Sequence, residues 1–560
     1  MPVKKNVSEG KLDWEKMDGW EIAVTSNPTP AESYAAEEFQ RWLGRRTGRE
    51  LPIRPGGECR AQQIRIDFDS ELEEEEFRIE VEEDRLTIAG GRPRGALYGV
   101  YQALEDFLGI RFLTGDHTHV PEGSIDPTPC GTYSYAPPFS FRWSFYRENA
   151  DQPEFAARLR VNTITDEERL GGKTPQNLIN HSVHALVPFE KYGAEHPEYF
   201  AMVDGERDTN THGGGPQLCV TNPEVIEIAT RSTIAHLDAH PQLRNFSVSQ
   251  ADTDRYCRCP ECEAINQPEG TPMGSQLAFV NAVAEAVEKK YPQVKIGTLA
   301  YWYTRQRPKT IRPRANVQIQ LCSIECCTVH ALDDPNCPRN QPFCRDMDEW
   351  GEACNDIWIW NYNTNFRMYD LPFPNLRSIG PNVRYFLKNQ AKGIFMQANG
   401  NGRTGELSDL RNYVIGRLLW DPKADEKELQ REFIELHYGK AGGPIEEYLE
   451  MLHDNAEARG VHPNCFPSAE EAGLDAAVGK RSADYFAQAL ELATDDAIRS
   501  RVEKASICAY RALIVTEAWE SEEEKERSLD RYIALCKNHG MSHSAERQLA
   551  DEYFAELKSA

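Results

Sequence analysis

At 560 residues, the chain exceeds the roughly 250 to 300 residues at which one hydrophobic core stops growing, so two or three domains are expected. Its 40% hydrophobic and 10% aromatic content is that of a globular chain, and no apolar run approaches the roughly 20 residues of a membrane helix. The formal charge of −26, with no Lys/Arg-rich stripe, argues against a nucleic-acid partner, whose phosphates need cations, and favours a neutral or weakly charged one.

The start, "MPVKKNVSEGKLDWEK", carries no apolar segment after its lysines. As given, the chain therefore reads as cytoplasmic, or as a secreted chain already trimmed. "WEIAVT" reads as a strand, and Ala35, Phe39, Trp42 and Leu43 mark one helical face that Gly44 is expected to end. Phe77, Ile79 and Val81 alternate as a half-buried strand that Leu86 and Ile88 continue in a hairpin-like pattern. The acidic run Glu73 to Glu76 reads as a solvated loop. Leu97, Tyr101, Leu104 and Leu108 then form the stripe of a second helix. Residues 1–135 are thus a small N-terminal α/β domain. "DPTPCGTYSYAPPF", Asp126 to Phe139, reads as a linker into the next.

Over residues 136–422 strand-like runs recur with helices among them: "FRWSF", "VNTIT", "NFSVS", "KIGTLA", "VQIQL", "IWIW", "GIFM" and a further one near Leu178 to Leu186. Strands alternating with helices over this span predict a central (β/α)8 TIM-type barrel, with a doubly wound open sheet as the alternative. After "WDPKADE" the periodicity is helical, with Leu429, Phe433, Leu436, Tyr448, Leu449 and Leu452 on buried faces, so residues 423–560 form a C-terminal α-helical region.

Barrels of this type carry their chemistry at the carboxyl ends of the strands. Those positions hold Arg147 and Glu148, His181 and His184, Asp252 and Asp254, Tyr301 and Trp302, Glu325, then Trp360, Asn361 and Tyr362, and finally Gln397 and Asn399. The mixture suits a sugar, because aromatic faces stack on pyranose C–H surfaces while carboxylates, amides and Arg hydrogen-bond the hydroxyls. Glycosidic hydrolysis needs two carboxylates, one protonating the leaving oxygen and one acting as base or nucleophile. Asp252 and Glu325 are the expected pair. Other duties for these residues are helix capping, orientation of an Arg, or, for the histidines, core packing. A glycoside hydrolase needs no catalytic cofactor, and no feature specifies an oligomeric state.

Fifteen cysteines are present. Cys257, Cys259 and Cys262, spaced C-x-C-x2-C, could share a tetrahedral zinc if Cys219, Cys326 or Cys327 supplied a fourth thiolate. Structural zinc, reduced thiols and a local disulfide are the readings left open. His181 and His184 have no third ligand beside them in sequence, although a zinc-dependent hydrolase stands as an alternative function.

The ordered segments "GRPRGALYGVYQALEDFLGIRFL", "HALVPFEKYGAEHPEYF", "QLCVTNPEV", "VSQADTDRYCRCPEC", "LCSIECC", "PFPNL" and "LLWDP" resemble a bacterial family known as domain of unknown function 4838. The first also resembles the N-terminal domain of family 67 alpha-glucuronidases and family 20 beta-hexosaminidases. The resemblance implies an exo-acting glycosidase with a small α/β domain and a catalytic barrel. The family 20 pattern has an adjacent Asp-Glu where this chain has Asp252-Thr253-Asp254, which favours separated carboxylates. In sequences similar to this one the seventh strand ends Trp-Asp-Tyr and the eighth Glu-Gln-Gly. Here they read Trp360-Asn361-Tyr362 and Met396-Gln397-Ala398, so a non-catalytic carbohydrate-binding protein is the alternative from another class.

Overall fold

The computed structural model describes residues 4–56 and 60–559. The chain divides into two compact units, one of Met1–Lys173, Asn363–Arg384 and Gln397–Ala560, the other of Thr174–Tyr362 and Tyr385–Met396.

In the first unit a seven-stranded sheet runs in the order Lys4–Leu12, Thr128–Tyr135, Phe77–Glu82, Arg85–Gly90, Gln63–Phe68, Glu21–Val24, Ile53–Pro55. The expected hairpin forms, with Val81 opposite Leu86 and Ile79 opposite Ile88. Two helices pack on this domain. In Pro30–Thr47, Thr29 and Glu32 form a reciprocal capping box that satisfies N-terminal N–H groups. This helix passes through Gly44 and ends at Gly48, whose φ of 74° is the left-handed conformation glycine adopts freely. Gly95–Leu108 buries Leu97, Tyr101, Leu104 and Leu108 as their spacing predicts.

Two expectations for this region are corrected. The linker is largely a strand, Thr128–Tyr135, which pairs with Lys4–Leu12 and with Phe77–Glu82 and buries Tyr133 and Tyr135. The acidic run is not wholly solvated, because Glu75 is buried between two guanidiniums. Arg94 Nε donates to its Oε1 at 2.8 Å and Arg142 Nη1 to its Oε2 at 2.6 Å. Burial alone would push this carboxyl up, but the arginines hold it below its ordinary value.

The C-terminal part of the same unit is helical, with Ser408–Trp420, Glu426–Tyr438, Gly442–Arg459, Ala476–Leu492, Asp496–Val515 and Glu522–Asn538 in succession. Asp425, Asp475, Asp495 and Ser521 each accept a backbone N–H at a helix start. No helix among the described residues is long and apolar enough to cross a membrane.

The second unit is built on a parallel, curled half-barrel sheet. Its strands Asn245–Ser247, Lys295–Ala300, Val317–Cys322, Ile357–Tyr362 and Gly393–Gln397 are neighbours in chain order. Asn245 pairs with Lys295, Ile296 with Val317 and Ile319 with Ile357. Every residue of "VQIQLC" is buried, as expected of a parallel strand covered on both faces. The helices Pro260–Glu269, Met273–Glu288 and Gln341–Ala353 lie in its crossovers.

Two of the expected strands take another form. Val161 to Thr165, in the first unit, is irregular, and Asn162 is tied to Arg142 by its side-chain carbonyl, which accepts the Arg142 N–H at 2.9 Å. In the second unit the segment before His181 runs along Asn245–Ser247 without a regular ladder. Asn245 Oδ1 accepts the Asn177 N–H at 2.6 Å, and Ser247 Oγ accepts the Asn180 N–H at 3.1 Å. The chain then turns into the short helix Val183–Leu186. In both places Asn or Ser side chains take backbone partners that a ladder would have used.

Candidate functional site

Because the sheet of the second unit is parallel, its strands release their carboxyl ends at one edge, and the chemistry-bearing residues follow. Asp252 comes after Asn245–Ser247, Tyr301 and Trp302 after Lys295–Ala300, Glu325 after Val317–Cys322, and Trp360 lies within Ile357–Tyr362 opposite Cys322.

Asp252 is the best-organised carboxylate. Its side chain is 38% exposed, and Oδ1 lies 3.7 Å from His181 Nε2 and accepts the Tyr301 hydroxyl at 3.0 Å. His181 Nδ1 is 2.7 Å from the Gln250 carbonyl oxygen. That oxygen only accepts, so Nδ1 carries a proton and Nε2 is the atom turned to Asp252. Burial, then the Asp252 charge, pushes the Tyr301 phenol far up, which keeps it a donor. The His181 ring meets Tyr301 edge-on at 5.5 Å and lies 6.5 Å from Trp360.

Trp302 is 44% exposed, one of few large apolar side chains so presented. Its φ of 54° is unusual for a bulky residue. The tight turn Trp302–Thr304 imposes this conformation. Gln250 Nε2 donates to Thr304 Oγ1 at 2.7 Å, and that oxygen accepts the Tyr301 N–H at 3.1 Å. Tyr301 and Trp302 are stacked with centroids 5.3 Å apart.

The backbone that carries Asp252 is held separately. Gln217 Nε2 donates to the Ala251 and Thr253 carbonyls at 2.8 and 2.7 Å, and its Oε1 accepts the Ala251 N–H at 3.0 Å. The Asp252 N–H donates to Gly213 O at 2.8 Å. Gly213 has φ 66°, and a Cβ there would stand 2.3 Å from the Asp252 carbonyl oxygen, so the approach needs glycine.

Glu325 is bound by Arg305, whose Nη1 donates to its Oε2 at 2.9 Å while Nε donates to Asp346 at 2.6 Å. Burial first, then the Glu325 charge, raises the Cys322 thiol, and Asp252 adds to the same shift. Both carboxylates are also felt at Tyr301, so the two act on the same end of the sheet. A cleft of about 380 Å³ lined by Trp302, Tyr303, Arg305, Arg345, Asp346 and Glu349 adjoins.

The remaining candidates fall elsewhere or take internal duties. Asp254 and His184 are exposed. Asn361 is buried, accepting from Ser323 Oγ at 2.8 Å and directing Nδ2 at Met396 Sδ, 3.6 Å away. Tyr362 is buried, with Trp360 6.2 Å off. In the first unit, Arg147 pairs with Asp151 at 2.8 Å. Glu148 accepts the Gly115 N–H at 3.0 Å. Burial and the Asp409 charge push Glu148 up to about 7, against the opposing Lys504. Gln397 gives its carbonyl to the Asn363 N–H at 2.8 Å. Asn399 is buried and donates to Gly402 O at 2.7 Å, a loop-holding duty.

The thiols gather in the second unit. Cys219, and neither Cys326 nor Cys327, joins Cys257, Cys259 and Cys262, with all four sulfurs within 4.8 Å of one another. All described cysteines are free thiols. Sequence reasoning had no signal for Gln217, Gly213, Gln250 or Arg305, whose duties depend on contacts between segments far apart in the chain.

Fold and site together define a mixed α/β protein whose curled parallel sheet presents an Asp–His–Tyr group and exposed aromatic surface at its carboxyl edge. The chain belongs to the family described as Domain of unknown function (DUF4838), which matches residues 112–450. No curated protein matches the sequence. Similar solved structures include CpGH84B (12% identity, TM-score 0.48, covering 100% of this chain and 99% of that one). Another is the chitobiase of Flavobacterium johnsoniae (14%, 0.46, covering 100% and 98%). A third is a mutant Streptomyces plicatus beta-hexosaminidase in complex with GlcNAc (14%, 0.46, covering 78% and 94%).

Proposed function

We propose that the protein is a glycoside hydrolase, exo-acting on a glycan or oligosaccharide, in which Asp252 is the general acid and Glu325 the base or nucleophile. The observation that carries this reading is the setting of Asp252. Its Oδ1 accepts the Tyr301 hydroxyl, with His181 Nε2 3.7 Å away, and among the described residues no hydrogen bond is made to Oδ2. A proton on Oδ2 is therefore free to pass to a leaving oxygen while Tyr301 holds the other oxygen in place. The exposed Trp302 face, 44% accessible, offers the surface on which a sugar ring stacks. Glu325, bound by a guanidinium, suits the ionised role, attacking the anomeric carbon directly or taking a proton from the water that does.

Asp252→Asn keeps the size and the Oδ1 acceptor but removes the acidic proton. Turnover of a cleavable glycoside is expected to fall by roughly 10²-fold or more, with sugar affinity by calorimetry within about threefold of the parent. Hydrolysis at the parent rate would end the assignment.

A second reading, a non-catalytic carbohydrate-binding protein, is favoured by one contact. Asn361 and Met396, standing where similar sequences carry acids, touch each other at 3.6 Å, so the two substitutions form one neutral pair. Mass spectrometry of bound sugars after long incubation separates the readings, since only binding leaves the ligand intact.

A further inference from the structure

We propose that Cys219, Cys257, Cys259 and Cys262 bind one zinc ion as a closed structural clasp on the loop that carries Asp252. Cys219 precedes the helix Pro223–Ala239, Cys257 and Cys259 lie in the loop after Asp252, and Cys262 sits in the first turn of Pro260–Glu269. All four are buried, between 0% and 5% exposed. Their sulfurs converge on one point, every pair within 4.8 Å.

The spacing distinguishes metal from disulfide. Four thiolates at about 2.3 Å from a tetrahedral zinc stand about 3.8 Å apart, from the geometry of the tetrahedron. Cys219 Sγ and Cys259 Sγ are 3.7 Å apart, whereas a disulfide brings its sulfurs to about 2.05 Å. A disulfide would also join sulfurs in pairs and give no reason for four to share one centre. Packing of four small apolar side chains does not explain the groups aimed at them either. The Met202 N–H donates to Cys257 Sγ at 3.2 Å, and Thr221 Oγ1 lies 3.2 Å from Cys262 Sγ and 3.8 Å from Cys219 Sγ. The Arg207 guanidinium stands beside Cys219. A zinc tetrathiolate carries two net negative charges, and N–H, O–H and guanidinium donors on its sulfurs are what offsets them. Four thiolates leave no coordination position for water, so the metal is structural and takes no part in hydrolysis.

The clasp reaches the site from both sides. Cys219 lies two residues beyond Gln217, the side chain that holds the Ala251 and Thr253 carbonyls, and Cys257 lies five residues beyond Asp252. Metal binding thus joins the two strips of chain whose contact fixes the Asp252 backbone.

The test is metal content of the full chain, produced in zinc-replete medium and read by elemental analysis, without reference to turnover. Cys327, His330 and Cys337 form a separate group able to hold a metal ion, so the readout is the difference between parent and variant. Cys219→Ser and Cys259→Ser are each expected to lose one zinc per chain, and Cys354→Ser, a buried thiol outside the cluster, to lose none. Unchanged zinc in the first two variants, a parent without zinc, or iron in its place would overturn the proposal. Cobalt reconstitution of the unmutated chain guards against variants that fail to fold. It should give the intense visible bands of tetrahedral cobalt tetrathiolate, and the pale spectrum of octahedral cobalt would refute the site.

Discussion

Tyr301 shows how much of the site depends on single atoms. Its hydroxyl is, among the described residues, the one side-chain donor hydrogen-bonded to Asp252, and burial keeps it protonated. A hydrogen bond of this kind contributes roughly 0.5 to 1.5 kcal/mol, and in the proposed hydrolase it would orient the carboxyl whose other oxygen gives up the proton. Tyr301→Phe keeps the ring against His181 and Trp302 and deletes only that bond. In the proposed hydrolase, kcat is expected to fall about tenfold or more, with KM nearly unchanged and the melting temperature lowered by only a few degrees. Steady-state kinetics beside thermal unfolding check this, and a rise in KM at constant kcat would assign Tyr301 to sugar binding instead.

At the scale of elements, the periodic part of the fold was legible and the cross-linked part was not. The hairpin of Ile79 and Ile88, the stripe of Leu97 to Leu108 and the parallel runs "KIGTLA", "VQIQL" and "IWIW" all follow from local apolar patterning, although burial alternates only in Phe77–Glu82 and is nearly continuous in Gly95–Leu108 and the parallel strands. The segments at Val161 and Ile179 also read as strands, yet the Asn162 side chain accepts the Arg142 N–H, and Asn245 and Ser247 accept the N–H groups of Asn177 and Asn180. Gly44 reads as the helix end in sequence, yet the helix runs through it to the left-handed turn at Gly48. Asp252 and three of the four thiols stand in one short stretch and were visible, Cys219 is one of three candidates for the fourth thiol, and Gln217 reaches them from some forty residues away with no sequence signal. Gln217 tests this kind of contact. Its amide makes three hydrogen bonds to the backbone around Asp252, so Gln217→Ala leaves buried peptide groups unpaired at about 1 to 3 kcal/mol each when nothing replaces them. Urea unfolding should show a loss of about 2 kcal/mol or more, with turnover, if the protein is the proposed hydrolase, falling further than unfolding at the assay temperature explains. A variant as stable and active as the parent would show that the loop is held by other means.

Over the whole molecule, the acidic surface conceals a set of buried cations whose partners are chosen individually. In the first unit Arg158 lies on Glu38, Arg94 and Arg142 share Glu75, and Arg160 and Arg417 share Glu105. Glu105 is the clearest case, 3% exposed and gripped by Arg160 through both nitrogens at 2.7 and 2.9 Å. Burial opposes its ionisation, but the arginines win and bring its pKa from 4.5 down to about 2. A carboxyl lowered on folding binds fewer protons folded than unfolded, so it adds stability above about pH 4.5 and loses that contribution as pH falls towards 2. The shift corresponds to stabilisation on the order of 3 kcal/mol at neutral pH. Glu105→Gln keeps the shape and leaves two buried guanidiniums without their counter-charge, which is expected to cost about 3 to 5 kcal/mol at pH 7. Because the parent alone gives up this stabilisation in acid, the gap between parent and variant in urea unfolding should narrow steadily from pH 5 to pH 2.5. A gap that stays constant over that range would mean that Glu105 is not the group whose protonation weakens the fold in acid.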